Sequence, residues 1–226
     1  MDKLYRRITR PRWQMNTSSK ELPDSYLKVR AEAFVNCMQP EKDSLSFWQS
    51  TNLEEEFGCL IALFCTMDSP SRIDIVTIDK NLVLDKIHHV TNPGESKAKS
   101  FNSLHIDLID LNYENIGLLV DKILTSLSLP KTSDIGYKRY SEAEVKSMVA
   151  SQIIKKKISL DELSDRWAEK LMSEFSGAIK NGDICLNDLT SKWHEQVAKG
   201  ISKEIRKDTL TFADISVEWQ ERVNRV

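Results

Sequence analysis

At 226 residues, with 40% hydrophobic and 29% charged side chains and a formal net charge of −2, the chain has the make-up of a globular protein of one large or two small domains. That balance excludes a whole-protein field drawing it onto nucleic acid, and the longest apolar run, CLIALFC at 59–65, is far short of the ~20 residues a membrane helix needs. The four cysteines, Cys37, Cys59, Cys65 and Cys185, show no CxxC spacing, so no metal, no cofactor and no disulfide framework is expected, and reduced thiols in a cytoplasm fit best.

The chain opens with Lys3, Arg6, Arg7, Arg10 and Arg12 against Asp2 alone. Two readings stand: an arm contacting nucleic-acid phosphates through Arg6, Arg7, Arg10 and Arg12, or a solvated terminus or edge strand protected by its charges. No secretory signal is expected, because the first 15 residues are basic and lack an apolar stretch. Residues 25–38 carry a helical apolar pattern (Leu27, Ala31, Phe34, Met38). The acidic triplet Glu54–Glu56 suits the first turn of a helix, where carboxylates oppose the positive end of the dipole. CLIALFC, RIDIVTI at 72–78 and LHIDLIDL at 104–111 read as strands. Residues 91–103 have the polar composition and Asn-Pro-Gly signal of an exposed loop. Ile116, Leu119, Val120, Ile123 and Leu127 mark an amphipathic helix that ends at Leu129-Pro130. The predicted architecture is an α+β domain over 1–130, a linker at 131–140 and an all-α segment over 141–226.

That last segment repeats itself. ISLDELSDRW at 158–167 returns as ICLNDLTSKW at 184–193 and LTFADISVEW at 210–219, so Trp167, Trp193 and Trp219 are each 26 residues apart. Copies run near 158–183, 184–209 and 210–226. A fixed period of this length signals stacked supersecondary units. In the first copy Leu160, Leu163, Trp167, Leu171, Phe175 and Ile179 fall on one helical face. Ser159, Cys185 or Thr211 precedes each copy with Glu162, Asp188 or Asp214 three residues on, a capping-box spacing. Helices are therefore expected over about 141–157, 160–181, 186–207 and 212–225, with Asn181-Gly182 as a C-cap. The tryptophans, set within apolar stripes, read as core. The third copy is followed by no polar capping unit, so its apolar residues Leu210, Phe212, Ile215, Trp219 and Val223 are the expected partner-binding set.

LYRR at 4–7 with Trp13, AF at 33–34, DSLSFW at 43–48 and NSLH at 102–105 resemble a group of short bacterial proteins. That group shares an LYR opening, an AF-to-LS block and a late N-x-x-H motif. The resemblance spans roughly the first 110 residues, lacks the Gly-Arg lead-in to the AF block, and leaves the C-terminal repeats outside it. It implies a small bacterial domain and, as a setting, a phage-defence or toxin-type system; it carries no activity over.

Chemistry has fewer footholds. His105 and Asp107, two apart on a strand, point to one face about 6.6 Å apart, and a His beside a carboxylate can do acid–base work. An edge strand with ordinary polar residues explains the same pair. Arg6, Ser46 and Glu54–Glu56 fall in an Arg–Ser–Glu order that resembles the ADP-ribosyltransferase pattern, whose members hold NAD. Its Ser-Thr-Ser strand and acidic catalytic motif are missing here. Adjacent His88 and His89 cannot face one ligand, and no phosphate loop, GxGxxG, HExxH or GxSxG occurs. The expectation is a non-enzymatic interaction or adaptor subunit of a bacterial intracellular multiprotein assembly, its partner another protein subunit. The alternative is a small enzyme acting on NAD or nucleic acid, its site within 1–111 around Arg6, Ser46, His105 and Asp107.

Overall fold

The structure is a computed structural model that describes residues 2–15, 20–38, 44–130 and 133–226. In chain order its elements are β1 (Lys3–Ile8), α1 (Ala31–Ala33), β2 (Leu45–Ser50), α2 (Leu53–Cys65), β3 (Ile73–Asp79), α3 (Asn81–Leu84), β4 (His89–Thr91), β5 (His105–Leu108), α4 (Tyr113–Ser128), β6 (Gly136–Tyr140), α5 (Glu142–Ile154), α6 (Asp165–Lys180), α7 (Ser191–Arg206) and α8 (Val217–Val223). This is a mixed α+β protein. Its contacts divide it into two compact units, one of Met1–Thr66 with Arg72–Ser141 and one of Met67–Ser71 with Glu142–Val226. Among the described residues no helix is long and apolar enough to cross a membrane.

The first unit is built on a six-stranded antiparallel sheet of order β4-β5-β2-β1-β3-β6. The basic opening is therefore neither an arm nor an edge. β1 lies inside the sheet because Leu4, Tyr5 and Ile8 give it buried apolar surface on both faces. Its charges are absorbed locally: Lys3 pairs with Glu56 at 2.7 Å, and Arg6 and Arg7 alternate to opposite faces.

Leu4, Ile8, Leu45, Phe47, Val76, Ile78, Ile106 and Leu108 form one core with α4 residues Leu119, Val120, Ile123 and Leu127, as the amphipathic pattern predicts. CLIALFC is not a strand. It is the buried end of α2, whose start is set by Asn52, which accepts from the Glu55 N–H at 2.9 Å, with Glu54–Glu56 in the first turn. A short, wholly apolar run cannot distinguish the two states; the cap and the acidic turn decide it. The expected helix at 25–38 is broken into a 3-10 turn at Tyr26–Lys28, α1 and a π turn at Phe34–Met38. The expected linker is mostly structure, since 136–140 pair with β3 as β6; residues 131 and 132 lie outside the described residues.

In the second unit each copy holds two elements where one helix is expected. Leu160–Glu162, Leu186–Asp188 and Phe212–Asp214 are 3-10 turns, and α6, α7 and α8 start only after them. The predicted acids do cap, but they cap the 3-10 turns: the N–H groups of Ser159, Cys185 and Thr211 donate to Glu162, Asp188 and Asp214. Leu163, Leu189 and Ile215 then turn extended, and Ser164, Thr190 and Ser216 become the N-caps of the α-helices. Trp167, Trp193 and Trp219 are all at most 1% exposed, which makes them core. Helices pack in chain order, α5 on α6, α6 on α7 and α7 on α8.

The helix ends recur as well. Lys156, Gly182 and Asp208 follow α5, α6 and α7 at 26-residue spacing, each with φ between 57° and 77°. The next N–H closes back to Gln152, Ala178 or Glu204, a Schellman end each time. Only one of the three is glycine, and a left-handed conformation costs an L-residue roughly 1 kcal/mol. Asp208→Gly is expected to raise unfolding stability by about 0.5–1 kcal/mol, read as a higher denaturant midpoint at unchanged slope.

Candidate functional site

The four residues of the enzymatic alternative, Arg6, Ser46, His105 and Asp107, meet at one cleft of about 820 Å³. The β2–β5 register explains three of them. Ser46 is paired with Asp107 and Trp48 with His105, so strand alternation puts Ser46, Trp48, His105 and Asp107 on one face, while Leu45, Phe47, Ile106 and Leu108 point into the core. Arg6 reaches the cleft from β1, where its Nε donates to the Cys37 carbonyl at 2.8 Å and its Nη1 to the Ser46 carbonyl. Burial lowers its pKa to about 10, still charged at neutral pH.

Within the cleft the polar groups largely satisfy one another. Ser46 Oγ donates to Asp107 Oδ1 at 2.8 Å, and Asn92 Nδ2 donates to Asp107 Oδ2 at 2.8 Å. His105 Nδ1 lies 2.8 Å from the Asn92 carbonyl. A carbonyl only accepts, so Nδ1 carries the proton and Nε2 is left facing Asp107 Oδ1 at 3.9 Å. The Trp48 ring stands edge-on to His105, with centroids 5.1 Å apart. Gly94 closes over both rings: a Cβ there would lie 2.5 Å from Trp48 Cη2. Asn102 of the N-x-x-H motif holds that loop, accepting the Ser96 N–H and donating to the Ser96 carbonyl, both at 3.1 Å, while its own carbonyl takes the Gly94 N–H. The motif is thus a loop clamp followed by a cleft residue.

The Ser46 proton points to a carboxylate rather than to His105, so this is no Ser–His relay. Glu54–Glu56 are elsewhere. Glu56 holds Lys3, and Glu55 accepts from Thr51 at 2.7 Å, which lowers its pKa. The Arg–Ser–Glu order therefore does not become a constellation. Among the described residues no three His, Cys, Asp or Glu side chains gather as a metal site requires. His88 is 82% exposed beside Asp110.

No family model, curated protein or solved structure matches the chain. Geometry alone must carry the functional reading.

The second candidate surface lies on the C-terminal helical unit, and the expected residue set needs correction. Leu210, Ile215, Trp219 and Val223 are buried at 8% exposure or less, so they hold the fold; only Phe212 of the five, at 41%, is available to a partner. Contacts between the first two copies show which positions matter. Asp161 Oδ1 accepts from Thr190 Oγ1 at 2.8 Å and from Trp193 Nε1 at 2.6 Å, and Asp165 pairs with Lys192 at 2.9 Å. Leu160, beside them, is 2% exposed. The corresponding residues of the third copy are Phe212, Ala213 and Val217, all apolar and all exposed. Sequence alignment could have found Val217, which replaces Asp165 and Ser191; nothing in the sequence marked Asn92 or Trp48 for the cleft.

Of the residues read as a nucleic-acid arm, Arg6 is committed to two carbonyls and Arg10 sits against Tyr137, with its guanidinium 4.4 Å from the ring.

Proposed function

We propose that the chain is a non-enzymatic interaction subunit of a bacterial intracellular multiprotein assembly, whose C-terminal unit is a stack of 26-residue helical repeats ending in a protein-binding face. One observation supports this above the rest. At the positions where the first copy meets its successor through Leu160, Asp161 and Asp165, the third copy presents exposed Phe212, Ala213 and Val217. Exchange of two carboxylates for apolar groups on an exposed face favours a desolvated, protein-covered surface over a solvated one. The occupant in this reading is another subunit that offers an apolar helix face.

The test uses the full chain purified from its source cells, wild type against a Phe212→Ser/Val217→Ser double variant. Expected is a stoichiometric partner retained by the wild type and lost by the variant at unchanged melting temperature. A wild-type chain that elutes alone, or a partner that stays on the variant, overturns the reading.

The cleft supports a second reading, a small enzyme or ligand-binding module, because Arg6, Ser46, His105 and Asp107 converge there from three strands. A phage-defence or toxin-type setting rests on the N-terminal resemblance alone.

A further inference from the structure

A separate hollow of about 500 Å³ in the first unit has charged lining of one sign only. Its ionic side chains among the described residues are Arg10, Lys20 and Arg139, with no acid among them, and the walls are completed by Gln14, Tyr137, prolines and leucines. That volume is within the range of small-molecule sites.

Two of the three cations are held in place by the fold. Asp74, 10% exposed at its side chain, sits behind the wall and is saturated. Arg139 forks onto it, Nε to Oδ1 at 2.7 Å and Nη2 to Oδ2 at 3.0 Å; Tyr137 Oη donates to Oδ1 at 2.8 Å, and the Arg10 N–H to Oδ2 at 3.3 Å. Burial alone would raise the Asp74 pKa, but the hydrogen bonds from Arg139, Tyr137 and Arg10 outweigh it and hold it low, so the carboxylate stays charged and its fork stays formed. The Arg10 guanidinium rests 4.4 Å from the Tyr137 ring centroid and gives one N–H to the Leu127 carbonyl at 3.4 Å. These contacts fix both planes and leave Nη1 of Arg139 and further N–H groups of Arg10 outside the bonds just described.

The charges opposing the cations are one carboxylate, Asp74, and the carbonyl end of α4 at Leu127. Among the described lining residues and the groups bonded to them, three cations stand against one carboxylate, an excess of two positive charges. Fixed guanidinium planes are the geometry that recognises phosphate oxygens, and two excess charges match a dianion better than a single carboxylate. We propose that this hollow is a binding site for the phosphate group of a small phosphomonoester. The proposal is independent of the partner-binding face, and it regathers part of the basic sequence opening with two residues, Lys20 and Arg139, that lie outside it.

Calorimetric titration of the full chain with inorganic phosphate, with AMP and with a 12-nucleotide single strand lacking terminal phosphate tests it. Expected is saturable binding of phosphate and AMP, weakened about tenfold by Lys20→Gln and by Arg10→Gln. Lys20→Gln should keep the wild-type melting temperature, so its loss of binding cannot be a folding defect. Absence of saturable binding by either phosphate or AMP overturns the assignment. So does unchanged AMP affinity in Lys20→Gln, or binding of the oligonucleotide alone.

Discussion

Trp193→Ala is expected to lower unfolding stability by about 3–5 kcal/mol, the range for removing a buried large side chain. Trp193 is 0% exposed, and its indole N–H is one of two donors that meet on Asp161 Oδ1. The variant loses the packing of the ring and leaves a carboxylate oxygen with one donor fewer. Trp193→Phe separates these terms: it keeps much of the ring volume and gives up the hydrogen bond, so it should cost well under half as much. Trp219 provides an internal control, because it is as deeply buried but its Nε1 meets no hydrogen-bond acceptor among the described residues. Trp219→Phe should therefore cost less than Trp193→Phe. Denaturant titration by circular dichroism measures all three. A Trp193→Ala midpoint close to that of the wild type would mean that the tryptophans are not the core of the helical unit.

The second large effect is at Arg6. Arg6→Ala should destabilise the chain by about 3–6 kcal/mol, since hydrogen bonds from a charged donor contribute roughly 1.5–3 kcal/mol each and two carbonyls would lose theirs. The acceptors are Cys37 and Ser46, and the guanidinium also lies 5.3 Å from the Phe47 ring centroid. Lysine should not rescue it, because a single ammonium cannot reproduce the planar fork across two acceptors. The denaturant midpoint of Arg6→Lys should fall nearer to Arg6→Ala than to the wild type; the opposite ranking would release Arg6 from this bridging role and return it to the cleft as a ligand-facing charge. Loss of function in an Arg6 variant is thus no evidence of catalysis, and Ser46→Ala or Asp107→Asn are the sharper probes of the cleft.

What the sequence disclosed follows from which interactions are local. α4 was legible because its apolar stripe and Asn112 cap lie within one stretch of chain. β3 and β5 were legible from β-branched and alternating residues. The apolar end of α2 was misread because a helix packed into a core loses the periodicity that betrays an exposed one. The breaks at Leu163, Leu189 and Ile215 were legible in principle, as a second Ser or Thr follows each of them, but the earlier capping spacing masked it. For the cleft, His105 and Asp107 share a face by alternation alone. That Ser46 and Trp48 join them depends on the β2–β5 register, set by pairing 61 residues apart, and no local pattern encodes it. The hollow at Arg10 needed the β3–β6 pairing as well, which places Arg139 beside Asp74.

The donors that join Thr190 and Trp193 to Asp161 have counterparts in the first copy with a different destination. Ser164 Oγ donates to the Asp68 carbonyl at 2.6 Å and Trp167 Nε1 to the Met67 carbonyl at 2.9 Å. These bonds span 96 and 100 residues, whereas those of the next copy span 29 and 32. Closing a loop about three times longer costs roughly 1 kcal/mol more in chain entropy, so the helices can associate with one another before the five-residue segment Met67–Ser71 joins them. During synthesis that segment emerges far ahead of its tryptophan and must wait for it. An expression fragment that begins at Glu142 would leave the Trp167 indole without the carbonyl it uses here, and the segment would have to be supplied as a separate peptide or fused ahead of α5.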